Sequence, residues 1–71
     1  MARKNEAALK TVLALIDSSE ITGKDGAKRI REEDAAKAVG QRVLNALAFH
    51  HYVKTTYTIE VGVQRFYIER P

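Results

Sequence analysis

The chain predicts an α+β fold in which helices are followed by a C-terminal β-hairpin. Three observations predict it: an apolar stripe at helical spacing over residues 5 to 17, a second helical pattern over about residues 32 to 50, and a change to alternation after His51. The two periods arise because side chains three or four apart share a helix face, whereas alternate side chains share a strand face.

In the first helix Leu9, Val12, Leu13 and Ile16 form one stripe, with Ala8 and Leu15 at its edge, while Lys10, Thr11 and Ala14 fall elsewhere. Ser18, Ser19 and Glu20 read as a frayed exit and Ile21 as a brief extended contact. Thr22-Gly23-Lys24-Asp25-Gly26 follows, and Thr22 with Asp25 three residues on approximates a capping box. That pattern places a short second helix from about Lys24 to Arg31, with Ala27 and Ile30 turned inward. Gly23-Lys24 is not read as a phosphate-binding loop, because the upstream glycine and the hydroxyl residue after the lysine are missing.

The main helix is expected to run unbroken from about Glu32 to His50, its acidic start Glu32-Glu33-Asp34 facing the positive end of the helix dipole. Gly40 would lie inside it at a cost of about 1 kcal/mol relative to alanine. The rival placement makes Gly40 the turn of a compact helix-turn-helix; it is disfavoured because only Gln41 and Arg42 separate the glycine from the apolar Val43-Leu44. Ala36, Val39, Val43 and Leu47 form the apolar edge. Lys37, Gln41 and Asn45 then fall at i, i+4 and i+8, with Arg42 beside them, as an outward polar stripe.

In the hairpin, Val53, Tyr57 and Ile59 alternate with Lys54, Thr56 and Thr58; Glu60-Val61-Gly62-Val63 offers the turn, and Gln64 to Glu69 alternates again around Phe66 and Ile68. Tyr57 and Tyr67 are read as core or cross-strand packing, with a stacking surface for nucleic acid as the alternative. The expected core joins Leu9, Leu13, Ile16, Val39, Val43, Leu47, Phe49 and Ile68.

A chain of 71 residues without cysteine is read as a single domain with one small core and no disulfide or cysteine-based metal site. The 45% hydrophobic fraction argues for a folded domain. No apolar run reaches the roughly 20 residues needed to span a bilayer, and no secretory leader is legible at the N-terminus, so the expected compartment is the cytoplasm. The formal charge is +3, carried by residues 22 to 71 and not by the first helix. Catalysis is not expected: the neighbours His50 and His51 point in different directions on a helix, no nucleophile–base arrangement is legible, and no cofactor is implied.

Lys, Arg, Gln and Asn are the side chains that reach phosphates and base edges, and a helix bearing them followed by a hairpin is the order of a winged helix-turn-helix. The stretch from Glu32 to Phe49, with Val39-Gly40-Gln41-Arg42-Val43-Leu44 at its centre, then His50-His51-Tyr52-Val53-Lys54 and the closing Gln64-Arg65-Phe66-Tyr67-Ile68, resembles the winged helix-turn-helix modules at the ends of phage and plasmid replicative primase-helicases. The resemblance covers residues 32 to 70. It departs where Ala48 replaces a common glycine and where His50-His51 replaces a more basic run. It implies a small non-enzymatic protein of replication or transcription control that binds double-stranded DNA, with Lys37, Gln41, Arg42 and Asn45 on the groove and Lys54 and Arg65 holding the wing to the backbone. Lys28 and Arg29 complete the expected DNA-binding set. The alternative is a small protein-binding module, such as a phage-encoded inhibitor or adaptor, gripping its partner with the hairpin edge and aromatic surface. A homodimer formed at that edge is compatible with either.

Overall fold

The computed structural model describes residues 3 to 71. Its elements are α1 (Arg3–Asp17), β1 (Arg29–Arg31), α2 (Glu32–Val39), α3 (Gln41–Phe49), β2 (Lys54–Glu60) and β3 (Val63–Glu69). The strands form one antiparallel sheet in the order β1-β3-β2, with Ile30 opposite Ile68 and Tyr57 opposite Phe66. The fold is thus α+β and winged helix-turn-helix-like, with the helices followed by a C-terminal hairpin. No helix among the described residues is long and apolar enough to cross a membrane.

One apolar cluster joins the helices to the base of the sheet. Val12 and Ile16 of α1, Ala35 of α2, Leu44 and Leu47 of α3, and Ile30, Val53 and Ile68 are buried together. Of the core expected from the sequence, Ile16, Leu47 and Ile68 are buried, and Leu9, Leu13, Val39 and Val43 pack half-buried against them. Phe49 departs from the expectation: it is 78% exposed.

The expected long helix is broken at Gly40. The residue has φ 89° and ψ 144°, far outside helical geometry, and it ends one helix while starting the next. Its N–H donates to the Ala36 carbonyl at 2.7 Å and its carbonyl accepts from the Leu44 N–H at 3.0 Å. The reason lies in the core. Ala35 and Leu44 are nine positions apart, so on a straight helix their side chains would diverge by about 180°. A corner at Gly40 lets both face α1, and the rival placement is the one adopted.

The short helix expected from Lys24 to Arg31 is also absent. Asp25 Oδ1 accepts from the Ala27 N–H, Gly26 takes a positive φ of 82°, and the Gly23 N–H donates to the Ala27 carbonyl. This tight turn returns the chain so that Thr22 bridges Lys28 and the Arg29 N–H donates to the Ile21 carbonyl. Arg-Ile-Arg then reads with strand period, Ile30 inward. Ser19 is not frayed: its hydroxyl donates to the Arg29 carbonyl at 2.6 Å and accepts from the Ile21 N–H.

Candidate nucleic-acid interface

The C-terminal end of α3 is locked by its backbone. The Tyr52 N–H donates to the Leu47 carbonyl and the His51 N–H to the Ala48 carbonyl, with His51 at φ 62°. This is the paired bonding of a Schellman motif, formed without the usual glycine. Leu44 and Leu47 anchor the inner face of α3, so its outer face is fixed in direction. That face carries Gln41, Arg42, Asn45 and Phe49, all exposed.

Gln41 and Asn45 form one unit. Gln41 Nε2 donates to Asn45 Oδ1 at 2.8 Å and to Glu32 Oε1 at 3.3 Å. With both protons of that nitrogen engaged, the pair presents a free acceptor, Gln41 Oε1, and a free donor, Asn45 Nδ2. Glu32 therefore holds the N-terminal end of this polar face from the neighbouring helix. A groove between these helix starts and the hairpin is lined by Arg31, Glu32, Glu33, Gln41, Arg65 and Phe66, among others. Its two cations are balanced by two carboxylates.

The remaining residues expected to touch DNA are dispersed. Lys37 lies on α2, in a depression shared with Leu15, Ile30 and Asp34 between α2 and α1, so it does not continue the α3 stripe. Lys28 Nζ donates to the Asp17 carbonyl at 2.9 Å. The Arg29 guanidinium sits 4.1 Å from the centre of the Tyr67 ring, a cation–π contact on the sheet face opposite the helices. Lys54 is 3.6 Å from the buried Glu69, and Arg65 is 3.6 Å from Glu60. Gln41, Arg42 and Asn45 are thus brought together, while Lys28, Arg29, Lys54 and Arg65 are each engaged within the fold.

Phe49 belongs to this surface and not to the core expected for it. It lies four positions beyond Asn45 and eight beyond Gln41, so helical periodicity already sets it on the polar stripe. The ring makes an edge-on contact with His50 at 5.2 Å between centroids.

The hairpin carries a second unexpected feature. Tyr57, Ile59 and Phe66 share the sheet face of Ile68 but extend beyond the helices and stay exposed, with Tyr57 and Phe66 rings 6.3 Å apart. Tyr57 pairs with Phe66, and Tyr67 lies opposite Thr56, so the two tyrosines do not face each other across the strands. At the tip, Val61 (φ 51°) and Gly62 (φ 76°) form the two-residue turn. Two positive values match a type I′ hairpin, in which a β-branched residue at the first position is strained.

Comparison with protein-family models, curated proteins and solved structures finds no match to this chain.

Proposed function

We propose that this protein binds double-stranded DNA, with α3 in the major groove and the β2–β3 wing beside the backbone. The observation that carries the reading is the outward face of α3: Gln41, Arg42 and Asn45 stand together on a short helix whose opposite face is anchored by Leu44 and Leu47. The free acceptor and donor of the Gln41–Asn45 pair complement the amino group and ring nitrogen that adenine shows in the major groove. Arg42 supplies a phosphate or guanine contact from the same helix turn. The resemblance to primase-helicase terminal modules assigns such a protein to phage or plasmid replication, or to transcription control, in the cytoplasm and without catalysis.

A mobility-shift titration with duplex DNA at two salt concentrations tests this. Arg42→Ala should weaken binding to every duplex and reduce the salt slope by about one unit if one phosphate contact is lost. Gln41→Ala or Asn45→Ala should chiefly relax sequence preference, by about 1 to 3 kcal/mol at a lost bidentate contact. Lys28→Ala should change little, because its ammonium caps α1. No shift of any duplex by the folded protein at low salt rejects the proposal.

The wing favours a second reading, a protein-binding module. Val61 is fully exposed and held in a backbone conformation that suits it poorly, and Tyr57, Ile59 and Phe66 form an apolar surface where a DNA-binding wing would show free cations. In that case DNA affinity is negligible from the start, and partner binding is lost on changing Tyr57 or Phe66 and retained on changing Arg42.

A further inference from the structure

The outer edge of β2 has a self-complementary pattern. β3 pairs with one side of β2, and among the described residues no strand pairs with the other. The two-residue turn makes Glu60 and Val63 a hydrogen-bonded pair, so the backbone groups of Lys54, Thr56, Thr58 and Glu60 point toward β3. Those of Thr55, Tyr57 and Ile59 point outward. The edge runs the full seven residues of the strand without proline or bulge, two of the devices that prevent pairing, and its charges, Lys54 and Glu60, stand only at its ends.

We infer that the partner of this edge is a second copy of the chain, paired antiparallel with β2 about a two-fold axis at Tyr57. In that register the outward groups of Thr55, Tyr57 and Ile59 meet those of Ile59, Tyr57 and Thr55 of the other copy. Lys54 falls opposite Glu60, and Glu60 opposite Lys54, so both ends of the pairing carry opposite charges. Sliding the register by one or two residues loses both charge pairs. The same pairing sets the exposed Tyr57, Ile59 and Phe66 of each copy side by side on one face, merging two small apolar patches at the centre of a six-stranded sheet. Thr56 and Thr58 of the two copies meet on the opposite face. Lys54 and Glu60 already reach Glu69 and Arg65 within the chain, and the pairing extends these contacts into alternating-charge rows.

The proposal requires no DNA, so its fate is separate from that of the duplex-binding reading. Sedimentation equilibrium over the micromolar range up to about 1 mM should move the mass from 8.0 kDa toward twice that value. A mass that stays at 8.0 kDa throughout overturns it. Lys54→Glu and Glu60→Lys, each alone, set like charges opposite at both ends and should leave the chain monomeric. Mixed in equal amounts, the two variants restore opposite charges and should associate; a mixture no heavier than its components overturns the register, as does either variant associating as well as the parent. Circular dichroism confirms that each is folded. Should either fail to fold, Tyr57→Cys provides the second test, since paired residues at the axis lie within disulfide reach. It should cross-link between chains faster on oxidation than Lys10→Cys on the exposed face of α1, and equal rates count against the pairing.

Discussion

Ile59 and Ile68 lie on adjacent strands of one hairpin and point to the same face of the sheet, yet Ile68 is 1% exposed and Ile59 is 68% exposed. Nothing in local propensity separates them. Ile68 lies where α1 and α2 cover the sheet, and Ile59 lies beyond the ends of those helices on a wing that extends a molecule measuring 39 Å by 21 Å by 19 Å. Strand alternation thus determines which residues share a face, but only the neighbouring layer decides whether that face is buried. Stability should accordingly reside at the helical end, with the wing contributing little to it.

The largest expected effects test that division directly. Leu44→Ala or Leu47→Ala, both at fully packed sites, should cost about 2 to 5 kcal/mol in urea denaturation, while Ile59→Thr should stay within about 0.5 kcal/mol. A loss at Ile59 comparable to that at Leu47 would break the comparison.

The corner between the two halves of the helix-turn-helix comes next. A methyl group added at Gly40 meets no atom within 4 Å, so Gly40→Ala probes backbone conformation alone. It should cost about 1 to 3 kcal/mol because φ 89° with ψ 144° is essentially restricted to glycine. A neutral result, or a gain through helix propensity, would favour the continuous helix that the sequence suggested.

At the wing tip the sign should reverse. Asparagine tolerates the left-handed conformation that strains valine, so Val61→Asn should raise stability by up to about 1 kcal/mol, measured by thermal melting. If the same change abolishes partner or DNA binding, the tip is a contact surface whose valine is retained at a cost to folding.

The smallest effect belongs to the clasp between α1 and the C-terminal end. Arg70 donates to both Asp17 carboxylate oxygens at 2.9 and 2.7 Å, and this hydrogen bonding holds the Asp17 carboxyl below its ordinary pKa. A depressed carboxyl pKa stabilises the fold above the unfolded-state value and loses that contribution as pH falls through the folded-state value. Asp17→Asn should therefore lower the melting temperature slightly near neutral pH, with the difference from the parent starting to shrink as pH falls past the ordinary carboxyl value of about 4 and vanishing only below the depressed folded-state value. The pair lies at the surface, so salt should shrink the difference further.

Much of this arrangement was determined by the sequence alone. The phase of Val12 and Ile16 sets the inner face of α1, the acidic run starts α2 at Glu32, and the Val61-Gly62 turn fixes the hairpin register. These signals are legible because each depends on residues within a few positions of one another. Gln41 and Asn45 are legible as neighbours for the same reason, since four residues form about one helical turn. What only the tertiary structure decided depends on distant partners. Gly40 is helix-compatible at a small cost until Ala35 and Leu44 must face the same α1. Lys24 to Arg31 can be patterned as a helix until Ile30 finds Ile68 across the sheet. Lys28, Arg29, Lys54 and Arg65 are isolated cations in sequence and gain intramolecular neighbours only when Asp17, Tyr67, Glu69 and Glu60 are brought beside them. Local periodicity specifies faces over a few residues, whereas burial and charge pairing are settled by groups far apart in the chain, whose meeting depends on every element between them.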